Sequence, residues 1–219
     1  MHAIYGWVTG PLTWIAFLLF FGGLLYRLVQ LLILVRRKEP FIFSYMSLKY
    51  SLRSILHWIL PFGTVNWRLH PVMTIVTFAF HICLLVAPVF LMAHAILFEE
   101  AWGFGWPSLP DVAADWMTLI VIAGAVFFLV RRIVRPEVRF VTSTSDYVLL
   151  AVVAAPFVTG FIAYHQLFAY RWMLVAHIVS GQVMLVAIPF TRLVHMLFAP
   201  LTRAYTGSEF GGVRHAVDW

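Results

Sequence analysis

Long apolar stretches separated by short polar clusters recur along the chain. Five of them, at about residues 12–35, 72–98, 112–130, 147–168 and 172–198, reach the roughly 20 residues that a helix needs to cross the hydrocarbon of a bilayer. Helix is the expected form, because open strands would leave backbone groups unsatisfied in lipid. No internal repeat or low-complexity segment interrupts the pattern. The predicted fold is an all-α membrane protein of five transmembrane helices, a single integral-membrane domain over residues 1–219.

A different pattern lies between the first two runs. In "YSLRSILHW", Lys49, Arg53 and His57 recur every four residues, against Leu48, Leu52, Ile55, Leu56 and Ile59. This spacing predicts an amphipathic helix at the membrane surface. Adhesion to anionic lipid and docking of a cytoplasmic partner both fit it.

Composition supports the membrane reading. Hydrophobic residues make up 63% of 219, charged residues 11%, and the mean hydropathy is +0.92, whereas soluble domains carry roughly a quarter charged residues. A chain of this size cannot hide so much apolar surface in a core of its own. Its one cysteine, Cys83, excludes an intrachain disulfide and any all-cysteine cluster. An iron–sulfur centre would therefore belong to another chain. The start, "MHAIYGWVTG", has no basic stretch before its apolar run, so no cleaved signal peptide is expected.

Charge predicts the orientation. The first loop holds Arg36, Arg37, Lys38, Lys49, Arg53 and Arg68, and the third holds Arg131, Arg132, Arg135 and Arg139. Arg203 and Arg214 lie in the C-terminal tail, while the second loop has Glu99, Glu100 and Asp111 with no Lys or Arg. Basic loops stay in the cytoplasm, which puts the N-terminus outside and the C-terminus inside. Trp102, Trp106, Trp116, Tyr170 and Trp172 fall near the outer interface, as an aromatic belt would. The net charge of +6 thus belongs to cytoplasmic loops and not to nucleic-acid binding. Arg27, late in the first run, is expected to snorkel to the cytoplasmic side in preference to touching a cofactor.

The candidate chemistry is histidine. His177 and His195 are eighteen residues apart in the fifth run, five turns at 3.6 residues each, hence on one face and roughly 27 Å apart along the axis. The second run holds His81 and His94. As it crosses the membrane in the opposite sense, His81 is placed to face His195 and His94 to face His177. Polar groups at such depths are costly and usually functional. Two pairs at two depths point to two haem b groups, each held by two imidazoles; zinc would want four ligands at one depth. The thirteen residues from His81 to His94 do not share an ideal helix face, so a kink or bulge is expected around Pro88. His70, eleven residues before His81, is an alternative ligand to His81 or His94.

The segments "VRRIVRPEVRFVTSTSDYVLL", "PFTRLVHMLFAPLTRAY" and "FHICLL" resemble the membrane cytochrome b (gamma) subunit of respiratory nitrate reductase, from about the second run to the tail. The resemblance implies a five-helix dihaem protein, with His81 and His195 on the cytoplasmic-side haem and His94 and His177 on the outer one. It implies Arg132 near a propionate of the inner haem, and electrons passing from quinol to a cytoplasmic iron–sulfur subunit. Three features depart from the family: the wider spacing around Pro88, the absence of an outer lysine and a different first loop. A relative is therefore expected, similar to subunits of sulfate-reducer complexes that pair periplasmic multihaem cytochromes c with a heterodisulfide-reductase-like protein.

The expected function is that of a dihaem cytochrome b subunit of an anaerobic respiratory complex in the bacterial inner membrane. It would carry electrons between a quinone pool or periplasmic cytochrome c and a cytoplasmic iron–sulfur subunit, beside other membrane subunits. The expected cofactors are two haem b, with menaquinone as a candidate, and quinone oxidoreductase activity would belong to the complex. Glu99, Asp115 and His165 are candidate outer proton groups, although the latter two are expected as ordinary interface residues. The rivals are a non-redox anchor for other subunits and a proton transporter, which would want carboxylates well inside the spans.

Overall fold

The computed structural model describes residues 2–219. It is all-α, with five long apolar helices consistent with a multi-pass bundle in a bacterial inner membrane. In chain order the helices are α1 (His2–Thr9), α2 (Pro11–Lys38), α3 (Ile42–Tyr45), α4 (Leu48–Ile59), α5 (Val65–Leu69) and α6 (Pro71–Phe90). There follow α7 (Met92–Trp102), α8 (Asp111–Val134), α9 (Pro136–Phe140), α10 (Thr144–Tyr164), α11 (Tyr170–Phe190) and α12 (His195–Ser208). The five candidate spans are Ala3–Lys38, then α6, α8, α10 and α11.

The expected runs and the helices agree in place but not at their ends. The second run does not continue through His94. Pro88 has no N–H and cannot continue the ladder; α6 stops at Phe90, Leu91 is extended at φ −63° and ψ 131°, and α7 begins at Met92. The expected break is therefore present, three residues beyond the proline. The fifth run stops at Phe90's counterpart, Phe190, one residue past Pro189, and a 3₁₀ turn over Arg192–Val194 precedes α12. His177 and His195 consequently do not lie on one continuous helix, which corrects the five-turn expectation.

The chain divides into two compact units, one of residues up to Ile75 with Leu185–Trp219, the other Val76–Met184. In the first, α2 meets the end of α11. A Cβ on Gly23 would stand 2.7 Å from the Cβ and Cγ of Pro189, so only glycine allows this approach. Arg27 Nε donates to the Pro189 carbonyl oxygen at 2.9 Å, and its Nη1 to Gln30 at 3.2 Å. The guanidinium is thus bound to the protein's own backbone.

Also in this unit, α4 packs on α12 through small polar residues. Ser51 Oγ donates to the Ala204 carbonyl at 3.0 Å and lies 2.9 Å from Ser208 Oγ. Ser54 and Ser208 are fully buried. Asp218 bonds to Ser54 and pairs with Arg203, and Arg203 lies 4.4 Å over the Trp58 ring. The His57 ring stacks on Trp219 at 3.8 Å. In the second unit a Cβ on Gly124 would meet the Phe80 ring at 2.8 Å, and Ala87 and Val121 are wholly buried.

Two predictions follow from this packing. Gly23→Val should lower the unfolding free energy of the detergent-solubilised protein by about 1–3 kcal/mol, as overpacking does, whereas Gly22→Ala, with open space around its Cβ, should not; thermal unfolding followed by size exclusion checks both. The second concerns Glu209, in the π-turn that ends α12. Arg214 donates to it at 3.0 Å, and with the Tyr205 hydroxyl this holds its carboxyl below the usual glutamate range. A depressed carboxyl contributes stability above the unfolded titration near about pH 4.3 and loses it as pH falls through the folded value. Protection of the amides across residues 209–213, after correction for their intrinsic exchange rates, should therefore fall as pH drops through the folded titration, and Glu209→Gln should remove that dependence.

Candidate functional site

The second unit brings one of the expected histidine pairs together. His94 on α7 and His177 on α11 face each other with ring centroids 5.9 Å apart and planes inclined by 11°. Each ring is oriented by a proline carbonyl. His94 Nδ1 donates to the Pro88 oxygen at 2.7 Å, and His177 Nδ1 to the Pro156 oxygen at 2.8 Å. A carbonyl only accepts, so both rings carry a proton on Nδ1, and Nε2 takes no part in these bonds.

The break after Pro88 makes this local geometry. Because the ladder ends there, carbonyls at the end of α6 lack the following amides and are met from elsewhere. His94 takes Pro88, the Trp106 indole N–H takes Val89 at 2.9 Å, and the Leu109 N–H takes Phe90 at 2.8 Å. The loop after α7 is thereby tied back over the end of α6. On the other side Gly160 makes room, since a Cβ there would stand 2.8 Å from His177 Nδ1 and 2.9 Å from Cε1. Ser180 Oγ donates to the His177 carbonyl at 2.9 Å and lies 3.2 Å from Thr159 Oγ1, fixing the backbone beneath the ring.

The other expected residues are placed as follows. His81 belongs to the second unit, with Nδ1 donating to the Thr77 carbonyl at 2.8 Å. His195 opens α12 in the first unit, with Nδ1 donating to Arg192 at 2.9 Å. All four histidines thus donate through Nδ1 to a backbone carbonyl. Arg132, near the end of α8, donates to Thr142 Oγ1 at 3.3 Å and lies 3.8 Å from Asp146. His70 caps α5, its carbonyl accepting from Thr74 at 3.0 Å. His165 and Asp115 form a partly exposed pair at 3.1 Å, in keeping with ordinary interface residues.

The expected cofactors require correction. Among the described residues, no group of three or more His, Cys, Asp or Glu side chains is placed to hold a metal ion, and Cys83 is free and buried. Only His94 and His177 are brought face to face, His81 and His195 belong to different units, and all four are turned towards backbone carbonyls. Two haem b and menaquinone are accordingly withdrawn as cofactors of this chain. Sequence reasoning also missed the roles of Arg27 and of the Asp218–Arg203–Ser54 cluster. For the cluster a signal was present: Ser47, Ser51 and Ser54 fall on one helix face, opposite Gly207, Ser208 and Gly211.

Gly160→Ala should push the His177 ring off the Pro156 carbonyl. Nitrogen-15 spectra of histidine-labelled protein in lipid should then lose the His177 Nδ1–H signal, identified by its absence in His177→Gln. An unchanged spectrum would contradict the packing described.

No family model matches the chain, and no solved structure matches it. A protein from the sulfate-reducing bacterium Nitratidesulfovibrio vulgaris (strain Hildenborough) is 39% identical over 211 residues, covering 94% of this chain and 93% of that protein. Likeness at this level over nearly the whole of both sequences leaves no room for a shared segment alone. The chain belongs to the same family as that N. vulgaris protein, a family of multi-span, all-α membrane proteins.

Proposed function

We propose that the chain is the integral-membrane subunit of an anaerobic respiratory electron-transfer complex. As one membrane domain, with its N-terminus outside and its C-terminus in the cytoplasm, it joins a quinone pool or periplasmic multihaem cytochrome c to a cytoplasmic iron–sulfur subunit. Other membrane subunits complete the assembly. The likeness of "VRRIVRPEVRFVTSTSDYVLL" and "PFTRLVHMLFAPLTRAY" to the nitrate reductase gamma subunit supports this reading, as does the relative from a sulfate reducer. Iron–sulfur chemistry falls to partners, because a single cysteine cannot ligate a cluster.

The observation that carries the proposal is the facing His94–His177 pair. A polar ring inside an apolar helix is costly, and satisfying a carbonyl needs only one of its nitrogens. Two rings held parallel, each with a basic Nε2 left over, are better explained by function than by packing.

In membranes containing the assembled complex, His94→Gln and His177→Gln should each lower electron transfer from a quinol analogue to a cytoplasmic-side acceptor by at least about tenfold, with the partners still co-purifying. Unchanged transfer with assembly intact would sink the electron-transfer reading and leave the chain as a non-redox anchor.

A further inference from the structure

The polarity of α4 is inverted relative to a helix of a water-soluble protein. Its inward face, against α12, is Ser51 and Ser54, both buried. Its outward face is Leu48, Leu52, Leu56 and Ile59, with exposures of 77, 49, 56 and 61%. These four positions recur at helical spacing and form one stripe. In water a stripe of this kind would turn inward, because removing large apolar side chains from water is favourable. The inward side is instead taken by hydroxyl contacts with α12 and by the Asp218–Arg203 pair.

We infer that the leucine stripe of α4 lies in the lipid headgroup region of the leaflet on the basic-loop side, with α12 riding on the polar back of the helix. Charge and continuity both select lipid as the occupant. Arg36, Arg37 and Lys38 form the last turn of α2, Lys49 is exposed on α4, and Arg68 precedes α6. These cations complement anionic headgroups, which attract basic residues held near the membrane surface. The segments on either side of α4 lead directly into two membrane spans through the short helices α3 and α5. The apolar stripe is therefore tethered at both ends to helices that enter the bilayer. A protein partner would need a matching apolar groove, and it would leave the flanking cations without counter-charge. This inference is independent of the proposed electron-transfer role.

The test uses the full chain in a Cys83→Ser background, reconstituted in nanodiscs of phosphatidylglycerol and phosphatidylethanolamine. Nitroxides are attached at Leu52→Cys and Leu56→Cys on the stripe and at Thr202→Cys, an exposed position on α12. Collision rates are measured with oxygen, which partitions into lipid, and with a water-soluble nickel chelate. Both stripe labels should favour oxygen over nickel severalfold, and the Thr202 label should show the reverse. Two stripe positions guard against one substitution disturbing the fold. Stripe labels as open to nickel as Thr202 would overturn the inference. So would protection that arises only after the respiratory partners are added, because the stripe would then be a protein-docking surface.

Discussion

A carbonyl that loses its amide donor inside a bilayer finds no water, so another group of the same protein must meet it. Much of this structure follows from that constraint. Pro88, Pro156 and Pro189 lie within the apolar helices, and the carbonyl oxygen of each accepts from a polar side chain. The donors are His94, His177 and Arg27, at 2.7, 2.8 and 2.9 Å. The polar groups set among the apolar residues therefore do not stand alone in hydrocarbon. The carbonyls of Pro88 and Pro189 lie in the last turns of α6 and α11, where the following amides are lost, whereas that of Pro156 lies inside α10 and takes His177 as an additional donor.

This pairing explains why histidine can serve where arginine also serves, and what distinguishes them. Arginine spends its charge on the backbone and on Gln30, which makes Arg27 a fastener between α2 and α11 beside the close contact at Gly23. Histidine spends one nitrogen and retains the other. A ring held by its Nδ1–H has a fixed tautomer and a fixed plane, and the free Nε2 follows from that choice. The same bond that satisfies the backbone thus orients the chemistry. Gly160 completes the arrangement by leaving out the one methyl group that would displace the ring.

The five apolar spans were legible because they depend on a bulk quantity, the length of the apolar runs. The break near Pro88 was legible for the same reason that the symmetric histidine scheme was not. Rotation per residue holds only along an unbroken helix, and extrapolating it from His177 to His195 ran through Pro189, where α11 stops. The partner of Arg27 was not legible because it is a backbone carbonyl 162 residues away, and a carbonyl leaves no mark in a sequence. The spacing that placed His94 opposite His177 succeeded since both lie close to the prolines that orient them.

α4 shows how one pattern supports two opposite structures. Its alternation of polar and leucine faces predicts an amphipathic helix whether the leucines turn into a protein or out to lipid. What decides between these is the size of the residues on the other face, and that is visible only when α12 is placed. Serines at 51 and 54 and glycines at 207 and 211 allow the two backbones to approach, since a Cβ on Gly207 would collide with Ser54 and one on Gly211 with the Tyr50 ring. Bulky side chains on that face would hold the helices apart and expose the hydroxyl network to water. Small residues inward and leucine outward is the packing rule of helices in lipid; here it extends beyond the spans to a helix that does not cross. The connecting loop is thus built by the same solvent as the helices it connects.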